Sequence, residues 1–392
     1  MAVDIASYQL IETESDLVQF YETNKVAKWL GFDSEFVGEK RFFTQLCLIQ
    51  VSSDFGNYLI DPILIKDLTP FLKLVEDPNI IKITHAGEND YRLLHIGYDI
   101  QPRNIFDTQI AAGFVGYKYP ISFRKLVESE LNVPLSKAYA VTDWESRPME
   151  KRQLKYAIND VLPLYDLWQL LTNKLNDLGR LSWAEEEFKK LEKADFYEKD
   201  PHHEALNSNL MRSLRRRDKV FLIRLYAWRR AMAKQKNYSK EMVLQQKLIS
   251  HIARSVNSGK EALKHNRRIP KKIVNDYGQI FEEMYQIPVS DEEQVLLDKI
   301  PREEQEDPRA EIVLEMIYLL IKHKCLEENI SSNLVIQKST LKRLRGHSEK
   351  VEEEIGEQWK SKFLGPEIMN WLAHIDRLKI EMNENGATLR ME

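Results

Sequence analysis

Cysteines and long apolar runs are scarce in this chain of 392 residues. Its two cysteines, Cys47 and Cys325, lie far apart in apolar stretches, which is typical of buried thiols in a reducing compartment and not of a disulfide or a zinc site. No run approaches the roughly 18–20 apolar residues that span a membrane. The N-terminus also has no basic segment followed by an apolar core, as a signal peptide would. The sequence therefore predicts a cytoplasmic protein with no membrane partner.

A phosphate-binding loop of the form GxxxxGK[ST] is also missing, so nothing predicts the use of ATP. The hydrophobic share of 43% and the charged share of 30% are those of a globular protein. At this length we expect two or three domains, each with enough chain to form a core.

Charge is distributed unevenly along the chain. The net charge is −4, yet residues 204–285 hold 19 Lys and Arg residues against 7 Asp and Glu residues. A basic segment in an otherwise acidic protein is typical of a protein that binds a polyanion, most simply nucleic acid. On composition alone, a solvated helical surface stays open as the alternative.

Four carboxylates and one tyrosine carry the strongest chemical signal. Asp33 and Glu35 are two residues apart in a strand-like segment, so they project from the same strand face. Tyr156 and Asp160 are four apart in a helical pattern, and Asp90 lies in a third segment. Acids that come together need a compensating cation, and hard oxygen ligands suit Mg²⁺ or Mn²⁺. Since two such ions are the usual device for displacement at phosphorus, phosphodiester hydrolysis is the leading hypothesis.

Three motifs in this order and spacing resemble a known family. They are Asp33-x-Glu35, His85-x4-Asp90 and Tyr156-x3-Asp160. Together with FDTQIAA (106–112) and TDWESRP (142–148), they resemble the DEDDy branch of the 3′–5′ exonucleases, and the ribonuclease D family in particular, over roughly residues 1–180. Ser34 stands where the family usually has threonine, and we expect its side chain to point away from the acids.

The resemblance implies roles for these residues. Four of them would hold two Mg²⁺ or Mn²⁺ ions around the terminal phosphodiester, and the tyrosine would orient the attacking water or help to deprotonate it. The metal ligands so implied are Asp33, Glu35, Asp90 and Asp160, and the tyrosine is Tyr156.

Five further residues are candidates for contact with the substrate. His85 either touches the substrate or braces the site by hydrogen bonding. Trp144 and Arg147 in TDWESRP are candidates for base stacking and phosphate binding, with a buried structural role as the open alternative. Arg229 and Arg230 lie on a basic helix, where they could contact RNA.

The first region has the pattern of an α/β domain. AKWLGFDSEF, FFTQLCLIQVSS and NYLIDP predict successive strands, and the strands and helices that follow indicate a mixed sheet flanked by helices. Asp107 is expected to cap a helix, with coordination of an ion through water as the open alternative. Residues 148–178 are expected to form one long amphipathic helix that begins with Pro148. The resemblance implies a ribonuclease H-like exonuclease domain, which we place at residues 1–195.

Strand signals vanish beyond about residue 200, so we predict all-α domains there. The segment 237–249 echoes the segment 329–341, which lies 92 residues later, and we interpret the pair as an internal duplication. By resemblance, the two copies are tandem HRDC domains, a basic one at 204–290 and a second at 311–392. The acidic, proline-containing stretch 291–310 is the predicted linker.

These expectations together describe a metal-dependent 3′–5′ exoribonuclease. Its products would be nucleoside 5′-monophosphates, and its favoured partner would be structured RNA such as a tRNA precursor, the tRNA coming from the resemblance alone. Two alternatives stay open. One is a 3′–5′ exonuclease on single-stranded DNA. The other is a catalytically silent RNA-binding scaffold, although such a scaffold would have no need of four metal ligands.

Overall fold

A computed structural model describes residues 7–135, 142–198, 200–300, 308–344, 351, 354–355, 358–384 and 386–391. The described residues divide into two compact units. The first unit comprises those within 1–35, 46–196 and 306–392, and the second those within 36–45 and 197–305. None of the helices in these ranges combines the length and the apolar character that crossing a membrane requires.

The first unit is built on a six-stranded sheet. Its strands are β1 (Gln9–Ile11), β2 (Trp29–Val37), β3 (Gln45–Ser53), β4 (Gly56–Ile60), β5 (Ile81–Thr84) and β6 (Ile105–Asp107). Their order across the sheet is β1-β4-β3-β2-β5-β6. β3 and β4 are antiparallel, whereas β1 pairs with β4, β2 with β5 and β5 with β6 in parallel. The predicted mixed sheet is confirmed.

Helices flank this sheet. They are α1 (Glu14–Asn24), α2 (Thr69–Glu76), α3 (Glu88–Tyr98), α4 (Thr108–Phe114), α5 (Phe123–Leu131), α6 (Lys151–Asn159), α7 (Leu164–Asp177), α8 (Leu181–Phe188), a 3₁₀ turn (Lys189–Glu192) and α9 (Ala194–Tyr197). Asp107 caps α4 as predicted, because its carboxylate accepts hydrogen bonds from two backbone N–H groups of the first turn.

The prediction of one long helix over residues 148–178 is wrong. The chain forms two helices there, α6 and α7, with a turn over residues 160–163. Pro163 lies at the N-cap of α7. Proline has no N–H to continue the hydrogen bonds of a preceding helix, but it is well suited to the start of a new one.

The second unit is helical apart from residues 36–45. Its helices are α10 (His203–Leu206), α11 (Leu210–Ser213), α12 (Arg216–Lys236), α13 (Lys240–Val243), α14 (Gln246–Ser255), a 3₁₀ turn (Val256–Ser258), α15 (Gly259–His265), α16 (Lys271–Gln286) and α17 (Asp291–Asp298). They enclose a core of their own, in which α12 is the longest element. The stretch predicted to be a linker contains α17, whose Glu293 pairs with Arg224 of α12 at 2.6 Å.

The described residues from 308 onward belong to the first unit. It contains α18 (Pro308–Glu327), α19 (Ser332–Val335), α20 (Lys338–Leu344), α21 (Gln358–Ala373), a 3₁₀ turn (Ile375–Arg377) and the antiparallel strands β7 (Leu378–Asn383) and β8 (Gly386–Met391). This β-hairpin is not among the sequence predictions. Trp359 is fully buried, and its ring packs edge-on against Phe114 of α4 at 4.8 Å. The described residues within 308–391 therefore contribute to the core of the exonuclease-like fold.

The two helical regions repeat the same local structure. α12, α13 and α14 begin at residues 216, 240 and 246, and α18, α19 and α20 begin 92 residues later, at 308, 332 and 338. Asn237 and Asn329 both adopt a left-handed backbone, with φ of 48° and 49°. Two residues on, Ser239 and Ser331 each donate a backbone hydrogen bond to a carbonyl of a distant segment, Ser239 to Lys40 and Ser331 to Gly113 in the last turn of α4. This is the spacing that an internal duplication predicts.

Candidate active site

Three elements supply the acids of the candidate site. Asp33 and Glu35 lie on β2, Asp90 lies in the first turn of α3, and Asp160 is the C-cap of α6. Glu35 interacts electrostatically with the other three acids, so the four carboxylates face one another. Tyr156, one turn before Asp160, is hydrogen-bonded to it. The structure thus brings together all five residues that the motifs single out.

Burial and mutual repulsion shift the titration of these acids. Burial, followed by the charge of Asp160, raises the pKa of Asp33 to about 7. Burial raises the pKa of Asp160 to about 7, and burial with the charge of Asp33 raises that of Glu35 to about 9. The pKa of Asp90 also lies well above its ordinary value, mainly because the carboxyl is buried. Such shifts favour neutral acids unless a cation is bound nearby.

No Lys, Arg or His side chain of the described residues forms an ion pair with any of the four acids. Carboxylate oxygens in this number are the donors that Mg²⁺ and Mn²⁺ prefer. The donor chemistry therefore fits a divalent cation.

The present arrangement of the side chains is not yet that of a chelate. Within the described ranges, no group of three or more His, Cys, Asp or Glu side chains is placed to hold a metal ion. The hydroxyl of Ser34 donates a hydrogen bond to Asp90 Oδ1, so the expectation that Ser34 points away from the acids is wrong. Binding an ion would require the carboxylates to turn toward it.

The surroundings of Tyr156 keep its phenol group protonated. Burial raises the pKa of its phenol above the usual value, and the charges of Asp160, Glu35 and Asp33 raise it further. The ring of Trp144 lies 6.3 Å from the ring of Tyr156. A phenol with a raised pKa is a hydrogen-bond donor at neutral pH, which favours an orienting role over that of a base.

Trp144 and Arg147 are engaged within the fold. Trp144 is only 3% exposed. The guanidinium of Arg147 binds both carboxylate oxygens of buried Asp61, at 2.5 and 2.9 Å, and also donates to the carbonyls of Cys47 and Trp144, at 2.7 and 2.8 Å. These contacts fit the structural alternative, in which Trp144 and Arg147 hold the loop over residues 142–148 in contact with β3 and with the end of β4. Substrate contact by this pair stays a prediction.

His85 also has partners on both sides of its ring. Nδ1 lies 2.9 Å from Thr108 Oγ1, and Nε2 lies 3.0 Å from the carbonyl oxygen of Ile121. Burial lowers the pKa of this imidazole. The ring thus ties α4 to the segment before α5, which fits the bracing role.

The two arginines of the basic helix differ in position. Arg229 is 1% exposed and donates to Glu204 at 3.0 Å, to the carbonyl of Leu244 at 2.7 Å, and to Glu241. The prediction that Arg229 contacts substrate is therefore wrong, because its charge is neutralised inside the second unit. Arg230 is exposed and stays a candidate.

The sequence predictions misplace the side chain of Ser34 and do not include Asp61. Ser34 lies between the candidate ligands Asp33 and Glu35 in the sequence. That position was the signal that its hydroxyl could contact another acid of the site, Asp90. Asp61 lies between the apolar strand β4 and Pro62, and it is fully buried. Because a buried carboxylate almost always has a partner, that position could have pointed to Arg147.

Comparison with known proteins shows which families the chain is similar to. The model of the 3′–5′ exonuclease family matches residues 8–176, and that of the HRDC domain matches residues 218–284. Ribonuclease D of Bartonella henselae is 28% identical over 343 residues, which cover 86% of this chain and 83% of that protein. Ribonuclease D of Desulfotalea psychrophila is 40% identical over 181 residues, 45% of this chain and 48% of that protein. The chain is thus similar to curated ribonuclease D proteins over most of its length, and it contains a 3′–5′ exonuclease domain and an HRDC domain. It is accordingly a 3′–5′ exoribonuclease.

One solved structure shares its fold with almost the whole chain. Escherichia coli RNase D, described as an exoribonuclease involved in structured RNA processing, superimposes with a TM-score of 0.79 at 24% identity. The match covers 93% of this chain and 98% of that one. The shared fold therefore extends through the C-terminal helical regions and is not confined to the exonuclease domain.

Proposed function

We propose that this chain shortens structured RNA from its 3′ end, with tRNA precursors as the favoured substrates, and releases nucleoside 5′-monophosphates. One observation carries the proposal: four carboxylates face one another in a buried site, and their pKa values are raised in the absence of a counter-charge. Such a site has an evident use if cations bind there together with the phosphate of a nucleic acid.

The proposal includes two divalent ions held by Asp33, Glu35, Asp90 and Asp160. When bound, the ions would lower the pKa of a water and stabilise charge on the leaving 3′ oxygen. Tyr156 would hold that water in line through its phenol oxygen, which can accept a hydrogen bond from the water while its own O–H donates to Asp160. The water oxygen then bonds to phosphorus as the bond from phosphorus to the 3′ oxygen breaks.

The experiment compares three 5′-labelled substrates with full-length protein in Mg²⁺, in Mn²⁺ and in chelator. They are a tRNA precursor with a 3′ trailer, a single-stranded RNA and a DNA of the same sequence. We expect RNA to be shortened stepwise from its 3′ end, with nucleoside 5′-monophosphates identified by mass spectrometry, and no products in chelator. DNA shortened as fast as RNA would overturn the substrate assignment. RNA that is bound but left intact in both metals would favour the scaffold.

A further inference from the structure

A loop that follows the candidate active site in sequence belongs to the basic second unit. Residues 36–45 come directly after Glu35 and are part of that unit. The backbone N–H of Phe43 donates to Asn237 Oδ1 at 3.0 Å, and that of Ser239 donates to the carbonyl of Lys40 at 3.0 Å. Phe42 packs against the core of the unit. The loop is thus fixed, yet the side chain of Phe43 is 48% exposed.

The repeated structure shows what is unusual here. In the second copy, Ser331 donates in the same way to the carbonyl of Gly113, and Ile330 beside it is only 5% exposed. The equivalent of Ile330 in the first copy is Tyr238, which is 46% exposed. The same motif therefore holds a distant segment in both copies, a loop in the first and the end of α4 in the second, but of the two equivalent residues only Tyr238 is an exposed aromatic ring.

Two positively charged residues of α12 lie on the same helix face as Asn237, which directly precedes Tyr238. Arg230, Lys234 and Asn237 follow one another at intervals of four and three residues, so they share one face of the helix. Arg230 and Lys234 are exposed and pair with no described acid, and Asn237 is the residue that holds the Phe43 backbone.

Other arginines of this helix are already engaged. Arg224 pairs with Glu293, Arg229 is buried among acids, and Arg217 donates to the carbonyl of Tyr285. Fewer charges of the basic segment are therefore available to a polyanion than its composition suggests. Two of the available charges, Arg230 and Lys234, lie on this one face of α12.

We propose that a single-stranded segment of RNA binds to the surface formed by Arg230, Lys234, Tyr238 and Phe43, which we call the stacking surface. Phosphates would contact the two cations, and a base would stack on the ring of Phe43. Exposed aromatic rings beside a basic track are the usual features of single-strand binding, whereas duplex RNA offers no free base faces. The inference rests on the proposed function and specifies how the unpaired 3′ end of its substrate is held.

The first test replaces the aromatic ring. Binding of a 5′-labelled single-stranded RNA is measured in chelator, so that no cleavage occurs. Phe43→Ala should weaken binding about 5- to 100-fold, as expected for the loss of one base stack, and Phe43→Trp should retain it. Phe55→Ala is the matched control, because Phe55 is 49% exposed but lies in the first unit. On an abasic oligomer, Phe43→Ala should bind as the wild type does.

The second test separates phosphate contacts from net charge. The variant R230A/K234A should reduce the slope of log affinity against log salt by about 1.4, at roughly 0.7 for each contact on a single strand. The control K271A/K272A removes two exposed charges from α16 in the same basic segment and should change the slope much less. Phe43→Ala should leave the slope unchanged.

The outcomes distinguish this inference from the proposed function. Wild-type protein that neither binds nor shortens RNA would overturn the proposed function. Wild-type protein that binds and shortens RNA, with Phe43→Ala and R230A/K234A indistinguishable from their controls, would overturn the stacking surface alone. Selective loss in both variants would support it, and the KM for a 3′-tailed RNA should then rise while kcat is unchanged.

Discussion

Asp33 lies between a core residue and a polar one. On one side, Phe32 packs edge-on against Tyr91 of α3 at 5.5 Å. On the other, Ser34 reaches Asp90 on the same helix. The two contacts fix β2 against α3 and so fix the distance between the acids of both elements. Burial then raises the pKa of each carboxyl, and the packing that positions the site is also what makes it require a cation.

The raised pKa values predict how the stability of metal-free protein depends on pH. A carboxyl with a pKa raised from 3.8 to about 7 in the folded state, as at Asp33, favours folding at low pH, and this contribution is lost as the pH rises through about 7. For Glu35 the loss extends to about pH 9. In chelator, the melting temperature should therefore fall as the pH rises from about 4 to about 9, and most of the fall should come below about pH 7.

The variant Asp33→Asn should flatten this dependence, because it removes one of the shifted carboxyls and relieves the others. Asp67→Asn is a suitable control, since Asp67 is exposed and its pKa is lowered. Melting curves recorded from acid to alkaline pH would check this. Parallel profiles for the wild type and Asp33→Asn would show that the acids do not repel one another as described.

Tyr156 allows a test at one atom. Tyr156→Phe keeps the ring beside Trp144 and removes only the hydroxyl. Hydrolysis should slow by about 10²-fold, the lower end of the range of about 10²–10⁴ for positioned acid–base groups, because the water would lose the hydrogen bond that orients it. Affinity for Mn²⁺, measured by calorimetry, should be unchanged, since the phenol is not proposed as a ligand. Turnover equal to that of the wild type would mean that Tyr156 only packs.

Secondary-structure elements were predicted from the sequence to different extents. The alternation along β2 placed Asp33 and Glu35 on one face, and Tyr156 and Asp160 stayed one turn apart although α6 ends at Asn159, because Asp160 keeps helical backbone angles. The break before α7 was missed because the apolar periodicity continues across Pro163. Periodicity identifies the buried face of an element but not the element that covers it, so the contact of Trp359 with Phe114 could not be predicted.

That contact predicts a large loss of stability. Trp359→Ala should lower the free energy of unfolding by about 3–5 kcal/mol, as for other buried aromatic residues. It also removes the indole N–H, which donates a hydrogen bond to Glu187 at 2.7 Å. Leu326→Ala on α18 is the control, because that side chain is 79% exposed and should change stability by less than about 0.5 kcal/mol. Equal denaturation midpoints for the two variants would contradict a shared core.

The two compact units are not formed by consecutive stretches of the chain. The described residues after position 307 pack into the first unit, and the basic unit is formed by residues 197–305 together with the loop 36–45. Composition and charge located the basic segment, and the motifs located the acids. They did not show that the loop after Glu35 joins the basic unit, because that depends on contacts between residues about 200 positions apart, such as Phe43 with Asn237.

The most direct measurement is hydrolysis of a 5′-labelled, 3′-tailed RNA in Mg²⁺ by wild-type protein and by Asp33→Asn. The variant removes one proposed ligand charge from a site where the acids repel one another, so it should remain folded and bind the RNA with similar affinity in chelator. The wild type should yield a ladder of products shortened from the 3′ end, and the variant should yield almost none. Asp33→Asn with more than about a tenth of wild-type turnover would contradict the assignment of the four acids as the hydrolytic site.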